Sequence, residues 1–330
     1  LNALLKFTKL MKLKLCGCND NNQFGEESNG KDVFGYPAIN PAIDSTFEVD
    51  SISSYTSYSN HTIIITNDNQ ALATGNNNDM GIIGSLKKQV FKQFTKFEIK
   101  DQHGKKWIPV SAVCGEKYTL YLVLSSKSSD KMQLAYSSSQ LNSKYPLILN
   151  TGESNPVALF GGSTIAAAIN SDGEIMLISE AVNENPDDLI ETIQLPRNEK
   201  AISVACCNNF IIALSENHQV FFLNLIESDD DSDSSTDLQF TPAKGLKKTK
   251  IINISGTTGH CFAVTEDGRV FGLGENYNGQ LGIGRDKEKV DVFTEIKSLN
   301  KYQIKSAYAG CAHSLFQTRE GKILACGSNS

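Results

Sequence analysis

The sequence predicts an all-β fold, a seven-bladed β-propeller of four-stranded blades, with residues 1–330 forming one domain. Three observations carry that expectation. Short apolar runs recur between polar, glycine-rich turns; helical periodicity is almost absent; and one pattern of histidine, glycine and asparagine returns every 45–57 residues. A unit of four short strands cannot bury both faces of its own sheet, so stacking units radially is how such a chain builds a core.

The pattern is plainest in GHCFAVTEDGRVFGLGENYNGQLGIG, residues 259–284. Counting from His260, Gly268 follows after 8 residues and Gly274 after 14, with Asn276 next and the corner Gln280-Leu281-Gly282 beyond. The same offsets from His313 reach Gly321, Gly327 and Asn329, and from His61 they reach Asn69, Gly75 and Asn77. Weaker copies are anchored at Tyr118, Ile165 and Phe210, so that successive anchors lie 57, 47, 45, 50 and 53 residues apart. Residues 3–19 laid over 313–329 put Gly17 on Gly327. That makes seven units, the first and last incomplete and expected to meet at the ring seam with the chain ends side by side.

Each unit follows one plan. An apolar run such as HTIIITN or CFAVTED reaches a two-residue turn of the Asp-Gly type, at Asp267-Gly268 or Glu320-Gly321, and reverses into a second run such as RVFGLG. A polar glycine-rich loop follows, then an outer run such as KFEI or VFTEI, then a stretch such as IINISG or IKSAYAG leading into the next unit.

Composition narrows the function classes. A hydrophobic fraction of 40% supports a sizeable core, and a net charge of −6 argues against a broad phosphate-gripping surface for nucleic acid. The eight cysteines are scattered without a Cys-x-x-Cys pair, which fits inert thiols in a reducing, intracellular compartment and provides no zinc site. The opening LNALLKFTKLMKLKLCG alternates lysine with apolar residues and makes neither a signal peptide nor a membrane span. Leu1 is not an initiator, which leaves either a native start at Met11 or a longer chain. Lys6, Lys9, Lys12 and Lys14 read as the outward face of a strand rather than a chromatin-binding tail.

The glycines are structural in this reading. A dinucleotide site needs Gly-x-Gly-x-x-Gly at the mouth of a helix, whereas Gly272-x-Gly274 leads into a polar loop and then a β-rich stretch. His260 and His313 occupy equivalent positions in consecutive units and read as buried hydrogen-bonding pegs, since a whole blade separates them. No nucleophile elbow, metalloprotease helix or P-loop accompanies them, so no catalytic, cofactor-binding or metal-binding residues are expected.

One segment stands outside the repeat. IESDDDSDSSTDLQF, residues 226–240, holds Glu227, Asp229, Asp230, Asp231, Asp233 and Asp237 with no base among them, an expected loop insertion at 227–237. It is a candidate contact for a basic partner, or a phosphorylation target at Ser228, Ser232, Ser234 and Ser235.

The pattern Gly-x-x-His-Ser/Cys, then Asp/Glu-Gly, then Gly-x-Asn-x-x-Gly-Gln-Leu-Gly-x-Gly resembles the repeat of the regulator of chromosome condensation family. It is clearest at 260–284 and 313–329, fair at 61–84, and recognisable in GCNDNNQFG at 17–25, whereas units three to five lack the second glycine and the Gln-Leu-Gly corner. The resemblance implies a seven-bladed propeller and, from the family's founding activity, nucleotide exchange on the small GTPase Ran. In the family that work falls to particular acidic and histidine residues and a protruding hairpin, which find no residue-by-residue match here; SSKSSDK at 125–131 and residues 26–45 are the candidate insertions. Light sensing in the family needs clustered tryptophans, and this chain has only Trp107. The expected function is therefore a non-catalytic protein-interaction scaffold, with guanine nucleotide exchange on a Ran-type small GTPase as the alternative.

Overall fold

A computed structural model describes residues 52–58, 61–77, 82–84, 90–126, 128–141, 143, 145–179, 189–226, 238–246 and 249–328, together with the backbone of two strands at 14–17 and 33–39. The described residues form β-strands, turns and two short 3-10 turns, with no α-helix among them. They fall into two compact units, Leu1–Ile148 and Leu149–Ser330.

In the first unit, β1 (Lys14–Gly17) pairs antiparallel with β2 (Val33–Ile39) as a two-stranded sheet. Next comes a four-stranded sheet of β3 (Ile52–Tyr58), β4 (His61–Thr66), β5 (Ala71–Asn76) and β6 (Val90–Phe97) in chain order. The following sheet has five strands: β7 (Ile99–Lys100), β8 (Lys106–Cys114), β9 (Tyr118–Ser125), β10 (Ser128–Ser138) and β11 (Leu147–Leu149). SSKSSDK lies at the end of the β9–β10 hairpin, where the register passes from Ser128↔Ser125 to Met132↔Leu124, so that three residues of β10 are extra there.

The second unit repeats one sheet. β12 (Pro156–Gly161), β13 (Ile165–Asn170), β14 (Ile175–Ser179) and β15 (Ile190–Ile193) form the first four-stranded meander. β16 (Ala201–Cys206), β17 (Phe210–Ser215), β18 (Val220–Asn224) and β19 (Thr241–Pro242) form the second, and β20 (Ile251–Thr257), β21 (His260–Thr265), β22 (Val270–Glu275) and β23 (Lys289–Glu295) the third. β24 (Ile304–Ala309), β25 (His313–Thr318) and β26 (Ile323–Gly327) make a three-stranded sheet.

Every anchor read from the sequence, His61, Tyr118, Ile165, Phe210, His260 and His313, is the first residue of a strand, the second strand of its sheet in every case except Tyr118, which begins the third strand of the five-stranded sheet. β4, β17 and β21 are buried at all six residues, and β17 and β21 each contribute to the apolar layers on both of their faces. Apolar layers fill the spaces between consecutive sheets of the second unit. One joins Ala167, Ile169 and Leu177 to Val204 and Ile211; the next joins Ile212 and Leu214 to Ile254 and Ala263; a third joins Phe262 and Leu281 to Ala307 and Phe316. Phe262 and Phe316 meet edge to face at 5.1 Å in that third layer.

The hairpin between second and third strands is one residue longer than the sequence reading had it. Thr265 N–H donates to Arg269 O and Gly268 N–H to Thr265 O, which closes a three-residue loop whose last residue is left-handed, Gly268 at φ 83°. The same position is left-handed in Asn69, Gly173, His218 and Gly321. A side chain at the loop's start makes the extra residue favourable: the hydroxyls of Thr265 and Thr318 accept from the N–H groups of Arg269 and Lys322, and the Asn170 amide oxygen accepts from Glu174.

Candidate functional site

The repeated histidines bind one sheet to the next. His61 Nε2 lies 2.8 Å from Thr119 Oγ1, and His260 Nε2 lies 2.8 Å from Ser314 Oγ. Each hydroxyl sits one residue past the anchor of the following sheet, so the peg reaches the same place in both pairs. Ser314 donates its hydroxyl hydrogen to Gln280 O at 2.7 Å, which makes it the acceptor for the N–H of His260 Nε2. Both rings are fully buried, and burial lowers their pKa to about 4; the charge of His313 adds to the effect at His260. They are neutral at physiological pH, and their Nδ1 atoms find no hydrogen-bond partner among the described residues. A neutral, buried ring already committed to a structural hydroxyl is not poised for acid–base work.

His313 departs from the peg reading. It faces Gly327 across its hairpin just as His260 faces Gly274 and His61 faces Gly75, yet its side chain is exposed. A peg is buried by the sheet that follows it, and among the described residues no sheet follows β24–β26 in the chain.

The glycine opposite each histidine is required by space. At Gly274, with φ 103°, a Cβ would stand 2.2 Å from Gly259 O, and at Gly327, with φ 104°, it would stand 2.5 Å from Ala312 O. The loop after Gly274 is held by Asn276: its Nδ2 donates to Gly284 O (2.6 Å) and Lys287 O (2.7 Å), and its Oδ1 accepts from Leu281 N–H (3.0 Å). Asn77 Oδ1 accepts from Ile83 N–H in the same way at 2.8 Å. Leu281 is thereby set into the core and Gly282 turns at φ 69°, so these residues are used as structure, with no phosphate cradle among them.

The strands that precede the anchors are linked by side chains that cap the N–H groups of the corresponding strand of the next sheet. Thr56 Oγ1 accepts from Cys114 N–H (3.0 Å), and Ser255 Oγ accepts from Ala309 N–H (3.1 Å) at the equivalent register. Near its start each of these strands carries a β-bulge, seen as a register shift between Pro156 and Ala158, Ala201 and Ser203, Ile251 and Asn253. The residues inside those three bulges are Val157, Ile202 and Ile252, exposed by 46%, 50% and 38%. β16 packs against both β12 and β20, so three exposed aliphatic side chains stand on three adjacent strands. The sequence did not single them out, because each reads as an ordinary member of an apolar run; only the bulge turns it outward.

The acidic residues Glu227, Asp229, Asp230, Asp231, Asp233 and Asp237 lie outside the described residues, as do Lys6, Lys9 and Lys12. Among the described residues no cluster of histidine, cysteine and carboxylate can hold a metal, and no helix is long and apolar enough to cross a membrane. Cys114, Cys206, Cys207 and Cys261 are buried and free, and burial pushes the Cys114 thiol up to about 12; among the described residues Cys326 is half-buried and Cys311 is exposed, outside the buried-thiol reading.

Known proteins place this architecture. The profile of the regulator of chromosome condensation (RCC1) repeat matches residues 267–317. The ultraviolet-B receptor UVR8 of Arabidopsis thaliana is 28% identical over 190 residues, 55% of this chain and 41% of that protein. The secretion-regulating guanine nucleotide exchange factor of Bos taurus is 41% identical over 80 residues, 24% of this chain and 17% of that protein. The chain thus spans less than half the length of these curated relatives. Among solved structures, Prp20p from Saccharomyces cerevisiae, studied for its binding to Gsp1p and histones, superposes with a TM-score of 0.72 at 17% identity, covering 97% of this chain and 81% of that one. Human WBSCR16 gives a TM-score of 0.64 at 15% identity over 84% and 77% of the two chains. At these identities the structural likeness is one of fold.

Proposed function

We propose, for a chain that carries the RCC1 repeat and the fold of the RCC1 β-propellers, a non-catalytic role as a protein-interaction scaffold. The observation that carries this reading is the exposed row Val157, Ile202 and Ile252, an apolar surface on a frame whose repeated polar groups His260 and Asn276 are spent on internal hydrogen bonds. Apolar side chains turned outward on adjacent strands mark contact surfaces for other proteins. A surface of this kind needs no cofactor and suits an intracellular protein with free thiols. In this reading residues 1–330 form one seven-bladed domain whose incomplete first and last units meet at the ring seam.

The second reading, exchange on a Ran-type GTPase, is favoured by the likeness to the secretion-regulating exchange factor over 80 residues. Exchange requires loops that wedge into a GTPase, not a cofactor, and so is compatible with the same frame. Affinity capture from the source cell with the parent chain and with Ile202→Asp, followed by mass spectrometry, tests the scaffold. Partners captured by the parent and lost with Ile202→Asp support it, whereas capture of none overturns it. Release of a fluorescent GDP analogue from Ran, measured in parallel, decides the exchange reading: acceleration well above the intrinsic rate would put exchange first. Distance measurement between labels near the two chain ends checks the proposed seam, for which a short separation is expected.

A further inference from the structure

We propose that the row Val157, Ile202, Ile252 and Lys305 is a docking track for an extended segment of a partner protein, apolar at alternate residues and ending in a carboxylate over Lys305. The proposal rests on the interaction role above and gives it a partner chemistry and a direction. β24 carries the same bulge as β12, β16 and β20, between Ile304 and Ser306, and the residue inside it is Lys305, exposed like the other three. β20 packs against β24, and Asn253 Oδ1 accepts from Ala307 N–H at 3.3 Å across the two strands, so Lys305 continues the row past Ile252. The bulge itself does not call for an aliphatic residue: in β3 it holds Ser53, exposed, with its hydroxyl bound back to Ile65 O at 3.0 Å. Three β-branched apolar residues in succession at an outward position are therefore a property of this surface and not of the bulge that exposes it.

Charge is balanced along the row except at its ends. Two residues before each bulge residue, the backbone accepts a hydrogen bond from the hairpin tip of the same sheet: Ser171 N–H donates to Asn155 O, Glu216 to Lys200, Glu266 to Lys250 and Arg319 to Gln303. Beside Val157 this pair is uncharged. Beside Ile202 and Ile252 it is one lysine and one glutamate, with Lys250 and Glu266 meeting at 2.7 Å. Beside Lys305 it is Gln303 and Arg319, and the Arg319 guanidinium donates to a backbone group, Glu266 O. The next tip residue there, Glu320, is held by Lys322 at 2.9 Å, and Lys305 makes no ion pair among the described residues. The β24 end of the row therefore carries two cations, Lys305 and Arg319, without a carboxylate assigned to either, whereas the tip nearest Val157 presents Asp172.

Spacing favours an extended occupant. The strands that carry the bulges approach one another to within 8 Å between Cα atoms. Alternate side chains of a strand share one face and repeat every roughly 6.7 Å. Three apolar residues at alternate positions of such a segment would cover Val157, Ile202 and Ile252, and the next alternate position would fall over Lys305. Aspartate or glutamate there is attracted by both cations, and lysine or arginine is repelled.

The test uses the full chain and two fluorescein-labelled peptides, TVTITITEE and TVTITITKK, read by fluorescence anisotropy. Weak binding of the acidic peptide is expected, about fivefold tighter than that of the basic one, with the preference lost at about 1 M salt, where charges are screened within about 3 Å. Ile202→Ser should weaken binding of both peptides about fivefold. Lys305→Glu should bring the two to within about twofold of each other by removing one of the two cations. Ile323→Ser, at an exposed aliphatic residue of β26 outside the row, should change neither. All three replaced side chains are exposed, and thermal unfolding checks that the fold is kept. Failure of the acidic peptide to bind, an unchanged preference in Lys305→Glu, or an equal loss with Ile323→Ser overturns the proposal. Partners captured from the cell and lost with Ile202→Asp, without any peptide preference, would sink the track's chemistry and leave the interaction role; a peptide preference without any captured partner would do the reverse.

Discussion

Replacing His260 with alanine tests whether the repeat histidine is a peg between sheets. The ring is fully buried and its Nε2–H donates to Ser314 Oγ at 2.8 Å. Loss of a neutral hydrogen bond costs about 1 kcal/mol, and the cavity left by the ring against Phe262 adds about 2 kcal/mol, for about 3 kcal/mol in all. His313→Ala removes the equivalent but exposed residue and should cost no more than about 0.5 kcal/mol. The assay is urea unfolding of His260→Ala, Ser314→Ala and the double variant, with His313→Ala alongside. The cycle cancels the separate bond from Ser314 to Gln280 O and should leave a coupling of about 1 kcal/mol between His260 and Ser314. A coupling near zero, or a His313→Ala cost equal to that of His260→Ala, would refute the peg argument.

Acid should destabilise the chain through the same rings. The unfolded protein protonates His61 and His260 below pH 6.5, whereas the folded protein does so only near pH 4, so stability falls as pH drops through that window, by up to about 3 kcal/mol for His61. His61→Gln and His260→Gln should flatten the slope of melting temperature between pH 6.5 and 4.5. Gly274→Ala, which drives a Cβ onto Gly259 O, should cost about 3 kcal/mol, and Gly321→Ala, with a left-handed φ but open space, about 1 kcal/mol; chemical denaturation separates the two. Asn276→Ala removes three hydrogen bonds and should cost about 2 kcal/mol, with faster proteolysis and amide exchange confined to the loop from Tyr277 to Gly284.

The fold was legible because strand and turn chemistry is local. Apolar runs bounded by turn residues located the second and third strands of the sheets, and the spacing from histidine to glycine fixed which residues face each other, as His260↔Gly274 and His313↔Gly327 do. It also placed the anchors of the weaker units, where Phe210 begins β17 although no glycine marks its turn. That turn's left-handed residue is His218, a position glycine composition alone does not reveal.

Tertiary structure decided the rest, since burial depends on what comes next to a strand and not on the strand itself. His260 and His313 are the same residue in the same register, yet one is sealed against Ser314 and the other is exposed, because one is followed by a further sheet among the described residues. Val157, Ile202 and Ile252 sit in runs that read as core, and a bulge of one residue turns each outward. The sequence by itself determined the repeat and its turns, whose forces act within a few residues; which faces stay uncovered was settled by contacts between residues far apart in the chain.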